Sequence, residues 1–154
     1  MTTQATSKPI GPYQSESATP RELETAPIEA PATGPATDSF SLLDHRARAR
    51  AVTPRLARRG YYLSFRDAED TWLLELQDKI THIGRGLGLE VRLEHQGVSR
   101  SHAIVVRHGR YARVLDNRSS NGTFLNGRRI VATNINDGDV ISVGPVAMRY
   151  VEMP

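Results

Sequence analysis

The chain contains no cysteine, and aromatic residues make up only 6% of its 154 residues. The absence of cysteine excludes disulfide bonds, thiolate metal ligands and a cysteine nucleophile, and it is typical of proteins from a reducing compartment. No apolar run approaches the roughly 20 residues that a transmembrane helix needs. The polar stretch from Met1 to Lys8 also lacks the apolar core of a signal peptide. We therefore expect a cytoplasmic protein that does not insert into a membrane.

Sequence patterns for metal binding and catalysis are missing as well. The five histidines have no compact ligand spacing, so no metal site is expected. Ser99 and His102 are close in sequence, but no nucleophile-elbow motif or orienting carboxylate accompanies them. The glycine-rich run 84–88 is not followed by the helix pattern that a nucleotide-binding loop requires. The sequence therefore predicts that the protein is not an enzyme and binds no cofactor.

Composition divides the chain into three zones. Residues 1–37 are rich in Thr, Ala, Pro and Glu, with isolated apolar residues, and we expect them to form a disordered tail. Residues 38–59 contain six arginines, all between positions 46 and 59, with no Asp or Glu among them. Asp38 or Ser39 is a suitable N-cap for this zone, which predicts a basic linker with a short helix.

Residues 60–154 have the pattern of an all-β domain. Apolar and polar residues alternate in many short runs, as in Tyr-Ala-Arg-Val-Leu at 111–115. Turn pairs such as Asn121-Gly122 and Asp137-Gly138 separate these runs. Short strands at regular spacing, without intervening helices, predict a two-sheet antiparallel β-sandwich. The stretch from Asn134 to Asp137 is predicted to be a loop.

Three polar clusters lie at the turns between predicted strands. They are Gly84-Arg85, the segment 99–102 (Ser-Arg-Ser-His) and the segment 119–123 (Ser-Ser-Asn-Gly-Thr). Taken singly, each has an ordinary interpretation as a surface arginine or a turn. Taken together, they supply a guanidinium, hydroxyls and an amide, which suit a phosphate and the peptide that carries it.

These clusters, with the Asp-Gly-Asp-Val-Ile-Ser-Val-Gly run at 137–144, resemble the signature of the forkhead-associated (FHA) domain. The resemblance covers about residues 60–154. It implies a β-sandwich whose loops at one end bind a phosphothreonine peptide. It also implies a non-catalytic adaptor in Ser/Thr kinase signalling, similar to small bacterial FHA proteins that carry a disordered N-terminal tail.

The resemblance also implies roles for particular residues. Five would contact the phosphopeptide: Arg85, Ser99, Arg100, Ser120 and Asn121. Arg85 and Ser99 would bind the phosphate, and Asn121 would hydrogen-bond the peptide backbone. Three residues would support the site: Gly84, His102 and Gly122. His102 would be buried beneath the binding loops and hold them in shape.

Two alternatives stay open at this stage. The arginines between residues 46 and 59 are suited to nucleic acid or an anionic surface, with the β domain as a scaffold, although base-stacking aromatics are absent from this segment. In addition, Thr19 or Thr25 in the tail would, once phosphorylated, be a ligand for the chain's own domain. The expected partner is otherwise a phosphothreonine-containing protein, such as a Ser/Thr kinase or its substrate.

Overall fold

The computed structural model describes residues 39–68 and 70–154. The predicted tail, with Thr19 and Thr25, lies outside these residues. The described part contains a helix α1 (His45–Arg50) and a 3-10 helix (Pro54–Leu56). Its strands are β1 (Gly60–Asp67), β2 (Asp70–Glu75), β3 (Ile80–Gly84), β4 (Val91–Arg92), β5 (Ala103–His108), β6 (Tyr111–Asp116), β7 (Thr123–Leu125), β8 (Arg128–Ile130), β9 (Ala132–Ile135), β10 (Val140–Val143) and β11 (Val146–Met153).

The strands form two sheets. One sheet has the strand order β2-β1-β11-β10-β7-β8, and the other has the order β4-β3-β5-β6-β9. The described pairs are antiparallel except for the short β3–β4 pair, which is parallel. The sheets enclose one apolar core, in which Leu63, Phe65 and Ile141 have no exposed surface. The prediction of an all-β, two-sheet sandwich is confirmed.

One strand differs from the sequence prediction. Asn134 was expected in a loop, but it lies in β9 and pairs with Arg113 of β6. Ala132 and Asn134 are residue types with a poor strand preference, so the local sequence of β9 favours a strand only weakly. The ladder to β6 and the burial of Ile135 supply the stabilisation that the local sequence lacks.

Residues 39–52, which we call the edge segment, lie against the open side of the sandwich. The Asp44 backbone N–H donates to the carbonyl of Arg92, the last residue of β4, at 3.0 Å. Further along, Val52 and Leu73 of β2 exchange two backbone hydrogen bonds of 2.8 Å. Because β4 and β2 are edge strands of different sheets, the edge segment bridges the two sheets.

Apolar packing shows that the edge segment belongs to the folded body. Leu43 is 0% exposed and Ala47 is 1% exposed, and both belong to the main core. The Phe40 ring stacks on Trp72 with centroids 4.8 Å apart. The basic segment was expected to be a linker, but its apolar residues pack here as part of the sandwich.

The helix in this segment begins later than the sequence predicts. Its N-cap is Asp44, whose Oδ1 accepts the Ala47 N–H at 2.8 Å. The Ser39 hydroxyl oxygen instead accepts the backbone N–H of Arg66 at 3.0 Å. Within residues 39–68 and 70–154, no helix is long and apolar enough to cross a membrane.

Candidate functional site

The three polar clusters meet at one end of the sandwich. Strand β3 ends at Gly84, next to the start of β5, because Ile83 pairs with Ala103 in an antiparallel ladder. The end of β6 lies beside them, since Asp116 also pairs with Ala103. The loops that follow β3, precede β5 and follow β6 are therefore neighbours in space.

Backbone hydrogen bonds join the first two loops. The N–H groups of Arg85 and Gly86 donate to the carbonyls of Ser99 and Arg100, each at 2.9 Å. A Cβ atom on Gly84 would lie 2.4 Å from the Arg100 carbonyl oxygen and 2.9 Å from that of Ser99. Glycine at position 84 is therefore required for this close approach of two backbones.

Only the Nε atom of the Arg85 guanidinium forms a hydrogen bond with the described protein. Its Nε donates to the Val98 carbonyl at 3.2 Å, and the side chain is exposed. Among the described residues, neither terminal amino group of this guanidinium has a hydrogen-bond acceptor. A planar, permanently charged fork thus faces solvent in a defined orientation.

Ser99 and Ser120 connect the second loop to the third. The Ser99 hydroxyl oxygen accepts the Ser120 backbone N–H at 3.0 Å, which leaves the hydroxyl hydrogen available to an external acceptor. Asn121 donates from Nδ2 to the Gly97 carbonyl at 2.7 Å. In the described part of the chain, no donor contacts its Oδ1, so this amide oxygen is available to a ligand N–H.

The His102 side chain lies beneath these loops and is 0% exposed. Its Nδ1 accepts the Ser99 N–H at 3.0 Å, which places the ring proton on Nε2 in the neutral imidazole. Nε2 then donates to the Gly122 carbonyl at 2.9 Å. Gly122 has a φ of +84°, a conformation that favours glycine. His102 thus joins the second and third loops from inside.

Asp116 organises the third loop, a role that was not expected from the sequence. Its carboxylate accepts hydrogen bonds from the hydroxyls of Ser119 and Thr123 and from the Ser119 N–H. Burial raises the pKa of Asp116, but these hydrogen bonds outweigh it, so the net pKa is lowered. An acid at the end of a strand, followed three residues later by serine, was a sequence signal for this turn.

The structure brings most of the predicted site residues together. Arg85, Ser99, Ser120 and Asn121 share one surface through the contacts above, with Gly84, His102 and Gly122 beneath or between them. The Arg100 side chain is exposed and makes no side-chain hydrogen bond or ion pair within the described residues. Those residues also contain no group of three or more side chains suited to a metal ion.

Comparisons with known proteins identify the same region. The profile of the FHA domain family matches residues 81–144. An ABC transporter ATP-binding/permease protein of Mycobacterium tuberculosis is 35% identical over 78 residues, which are 51% of this chain. The FHA domain-containing protein FhaA of the same organism is 37% identical over 70 residues, or 46% of this chain. The matched segments represent only 9% and 13% of the length of those two proteins.

A solved structure extends the similarity to a whole domain. It is an FHA domain studied for phosphothreonine-dependent interactions, with 32% sequence identity and a TM-score of 0.55. The match covers 61% of this chain and 97% of that domain. On this evidence the chain belongs to the FHA domain family.

Proposed function

We propose that this protein binds phosphothreonine peptides through the loops around Arg85, Ser99 and Asn121. The observation that carries the proposal is the anchored Arg85 guanidinium, which has both terminal amino groups free beside the Ser99 hydroxyl. The similar FHA domain is known for phosphothreonine-dependent interactions. This protein is accordingly assigned to protein interaction and not to catalysis.

The charge and geometry of phosphothreonine match these side chains. Its phosphate carries about −1.5 to −2 charge at neutral pH and three strong acceptor oxygens. Arg85 supplies two N–H donors from a planar fork, and Ser99 supplies a hydroxyl donor. Arg100 and Ser120 are the further donors proposed for the phosphate or the adjoining peptide. Charge-assisted hydrogen bonds of about 1.5–3 kcal/mol each account for much of the roughly 8 kcal/mol of a micromolar complex.

Asn121 is proposed to recognise the peptide backbone. Because Nδ2 is held by the Gly97 carbonyl, the Oδ1 atom is oriented to accept a peptide N–H. One fixed acceptor beside the phosphate aligns an extended peptide without reading its side chains. We therefore expect Asn121→Ala to weaken binding to all phosphothreonine peptides by a similar factor.

A titration of the full chain tests the proposal. The probe is a fluorescent peptide with one phosphothreonine and neutral flanking residues, with its unphosphorylated form for comparison. Wild type is expected to bind only the phosphorylated form, and Arg85→Ala is expected to weaken binding by about tenfold or more. Arg113→Ala is a matched control, since Arg113 is an exposed arginine of β6. Phosphopeptide affinity that is unchanged in Arg85→Ala would refute the proposal.

Duplex DNA in a parallel titration tests the alternative assigned to the basic segment. Deleting residues 38–59 is unsuitable for this purpose, because Leu43 and Ala47 belong to the core. Replacing the exposed Arg55, Arg58 and Arg59 with glutamine leaves the core intact. DNA binding that depends on these arginines and not on Arg85 would favour the alternative.

The cellular role we propose is that of a bacterial cytoplasmic adaptor downstream of a Ser/Thr kinase. Its partner would be a phosphothreonine-containing kinase or kinase substrate. Thr19 or Thr25, once phosphorylated, is proposed as a competing ligand from the same chain. A chain phosphorylated at either threonine should bind the fluorescent peptide more weakly than the Thr19→Ala, Thr25→Ala double variant. Equal affinities would contradict self-inhibition.

A further inference from the structure

An additional arginine, which the sequence did not indicate, lies beside the third loop. A Cβ atom on Gly122 would be 2.8 Å from the Nε of Arg129, 3.2 Å from its Cζ and 3.3 Å from its Nη2. The guanidinium of Arg129 therefore lies directly against the Gly122 backbone, next to Asn121. Glycine at position 122 leaves the space that this guanidinium occupies.

The register of the β7–β8 hairpin explains this position. Arg129 pairs with Phe124, and Gly122 precedes Phe124 by two residues, at the diagonal position that a long side chain reaches. Arg128, its neighbour on the same edge strand, points to the opposite face because successive strand residues alternate. Both arginines are exposed.

Arg129 has no hydrogen bond or ion pair with any residue of the described ranges. The three loop segments at this end, residues 84–89, 97–102 and 117–123, contain no Asp or Glu. Two carboxylates border these segments, and both already have partners. Asp116 accepts hydrogen bonds from Ser119 and Thr123, and Glu90 accepts the backbone N–H of His82 and contacts its ring. The positive charge of Arg129 therefore lacks an acidic partner among the described residues, at an end of the sandwich whose loops also carry Arg85 and Arg100. This excess of positive charge favours an external anion.

We infer that Arg129 binds a second anionic side chain of the peptide, a carboxylate or a second phosphate, at a position flanking the phosphothreonine. This inference rests on the proposed function and adds a preference in the peptide sequence. Arg85 and Ser99 bind the phosphothreonine in any sequence context, whereas Arg129 discriminates among contexts. The preferred partner is therefore a phosphothreonine segment with a nearby acidic or phosphorylated residue.

A peptide array measures this preference. The reference is the neutral phosphothreonine peptide, and aspartate replaces each of four residues on either side, one at a time. We expect one position at which aspartate tightens binding to wild type by about threefold to fivefold, the upper part of the range for an exposed ion pair. Phosphoserine at the same position should tighten binding more, because it carries the larger charge. If phosphoserine tightens binding at this position and aspartate does not, the ligand of Arg129 is a second phosphate and not a carboxylate.

The variants Arg129→Gln and Arg128→Gln form a matched pair. Arg129→Gln should remove the gain while leaving affinity for the neutral phosphopeptide within about twofold, and Arg128→Gln should retain both. A gain that persists in Arg129→Gln, or no gain at any position in wild type, would overturn the inference and leave phosphothreonine binding intact. If wild type binds no phosphothreonine peptide at all, the proposed function fails and the inference fails with it.

Discussion

Replacing His102 with alanine removes two side-chain hydrogen bonds, one within the second loop and one that joins this loop to the third. The Ser99 N–H loses its acceptor at Nδ1, and the Gly122 carbonyl loses its donor at Nε2. A buried polar group left without a partner costs about 1–3 kcal/mol. The Ser99 bond is partly buried and belongs near the lower end of that range, whereas the Gly122 bond is buried.

The removed ring adds a packing cost, because His102 has no exposed surface. We therefore expect His102→Ala to lower the free energy of unfolding by about 4 kcal/mol in total. That is a large share of the roughly 5–15 kcal/mol that stabilises a typical domain. Urea unfolding at neutral pH measures the loss, and the midpoint should fall without a change in slope.

Binding separates a supporting role from direct ligand contact. At a temperature where the variant is still folded, phosphopeptide affinity should fall because the loops that hold Ser99 and Asn121 lose their link. His108→Ala is the matched control, since His108 is exposed at the end of β5. Unchanged stability would refute the energetic reasoning. Lost binding with unchanged stability would instead assign His102 a direct contact with the ligand.

Three further predictions concern stability. Leu43→Ala should cost about 2–5 kcal/mol, measured by urea unfolding, because Leu43 is fully buried in the core; a cost below about 0.5 kcal/mol would place the edge segment outside the folded unit. Asp116→Asn should destabilise the protein more at pH 7 than at pH 2. Because the pKa of Asp116 is lowered in the folded state, its carboxylate stabilises the fold above the ordinary pKa of 3.8, and this contribution is lost as the pH falls through the folded-state pKa. An equal loss at both pH values would contradict this linkage. Tyr150→Phe should be neutral or stabilising in a thermal melt, because no described group meets the buried Tyr150 hydroxyl with hydrogen-bond geometry. A marked loss of stability would mean that the hydroxyl bonds to the nearby Glu152 carboxylate.

The sequence predicted the sandwich because local signals and the global fold agree in most strands. Residues 111–115 alternate and form β6, and the Asp137-Gly138 and Asn126-Gly127 turns have the positive φ that they suggest. Strand β9 was missed because its stability comes from pairing with a distant strand and not from its own composition. Short, polar edge strands are difficult to predict for this reason.

The packing of the edge segment against the core was not predicted, for a different reason. Its arginines dominate its composition, whereas only a few residues, chiefly Leu43 and Ala47, carry its packing. Arg48 and Arg50 also have structural contacts, since they donate to the carbonyls of Leu43 and Glu90. Charge content alone does not distinguish a solvated linker from a segment that covers a sheet edge. In both cases the charged end of an arginine stays in water, and its long aliphatic stem can also lie on apolar surface.

The site separates groups that build it from groups that are free to bind. The polar atoms of His102 and Asp116 form hydrogen bonds with other loop residues. In contrast, three groups have no hydrogen-bond partner among the described residues: the terminal amino groups of Arg85, the Oδ1 of Asn121 and the guanidinium of Arg129. Substitutions of the second set should therefore change stability by less than about 1 kcal/mol, although they weaken or reshape binding. Parallel measurements of unfolding free energy and peptide affinity for Arg85→Ala and His102→Ala test this division. A loss of stability in Arg85→Ala equal to that in His102→Ala would mean that recognition and architecture share the same groups.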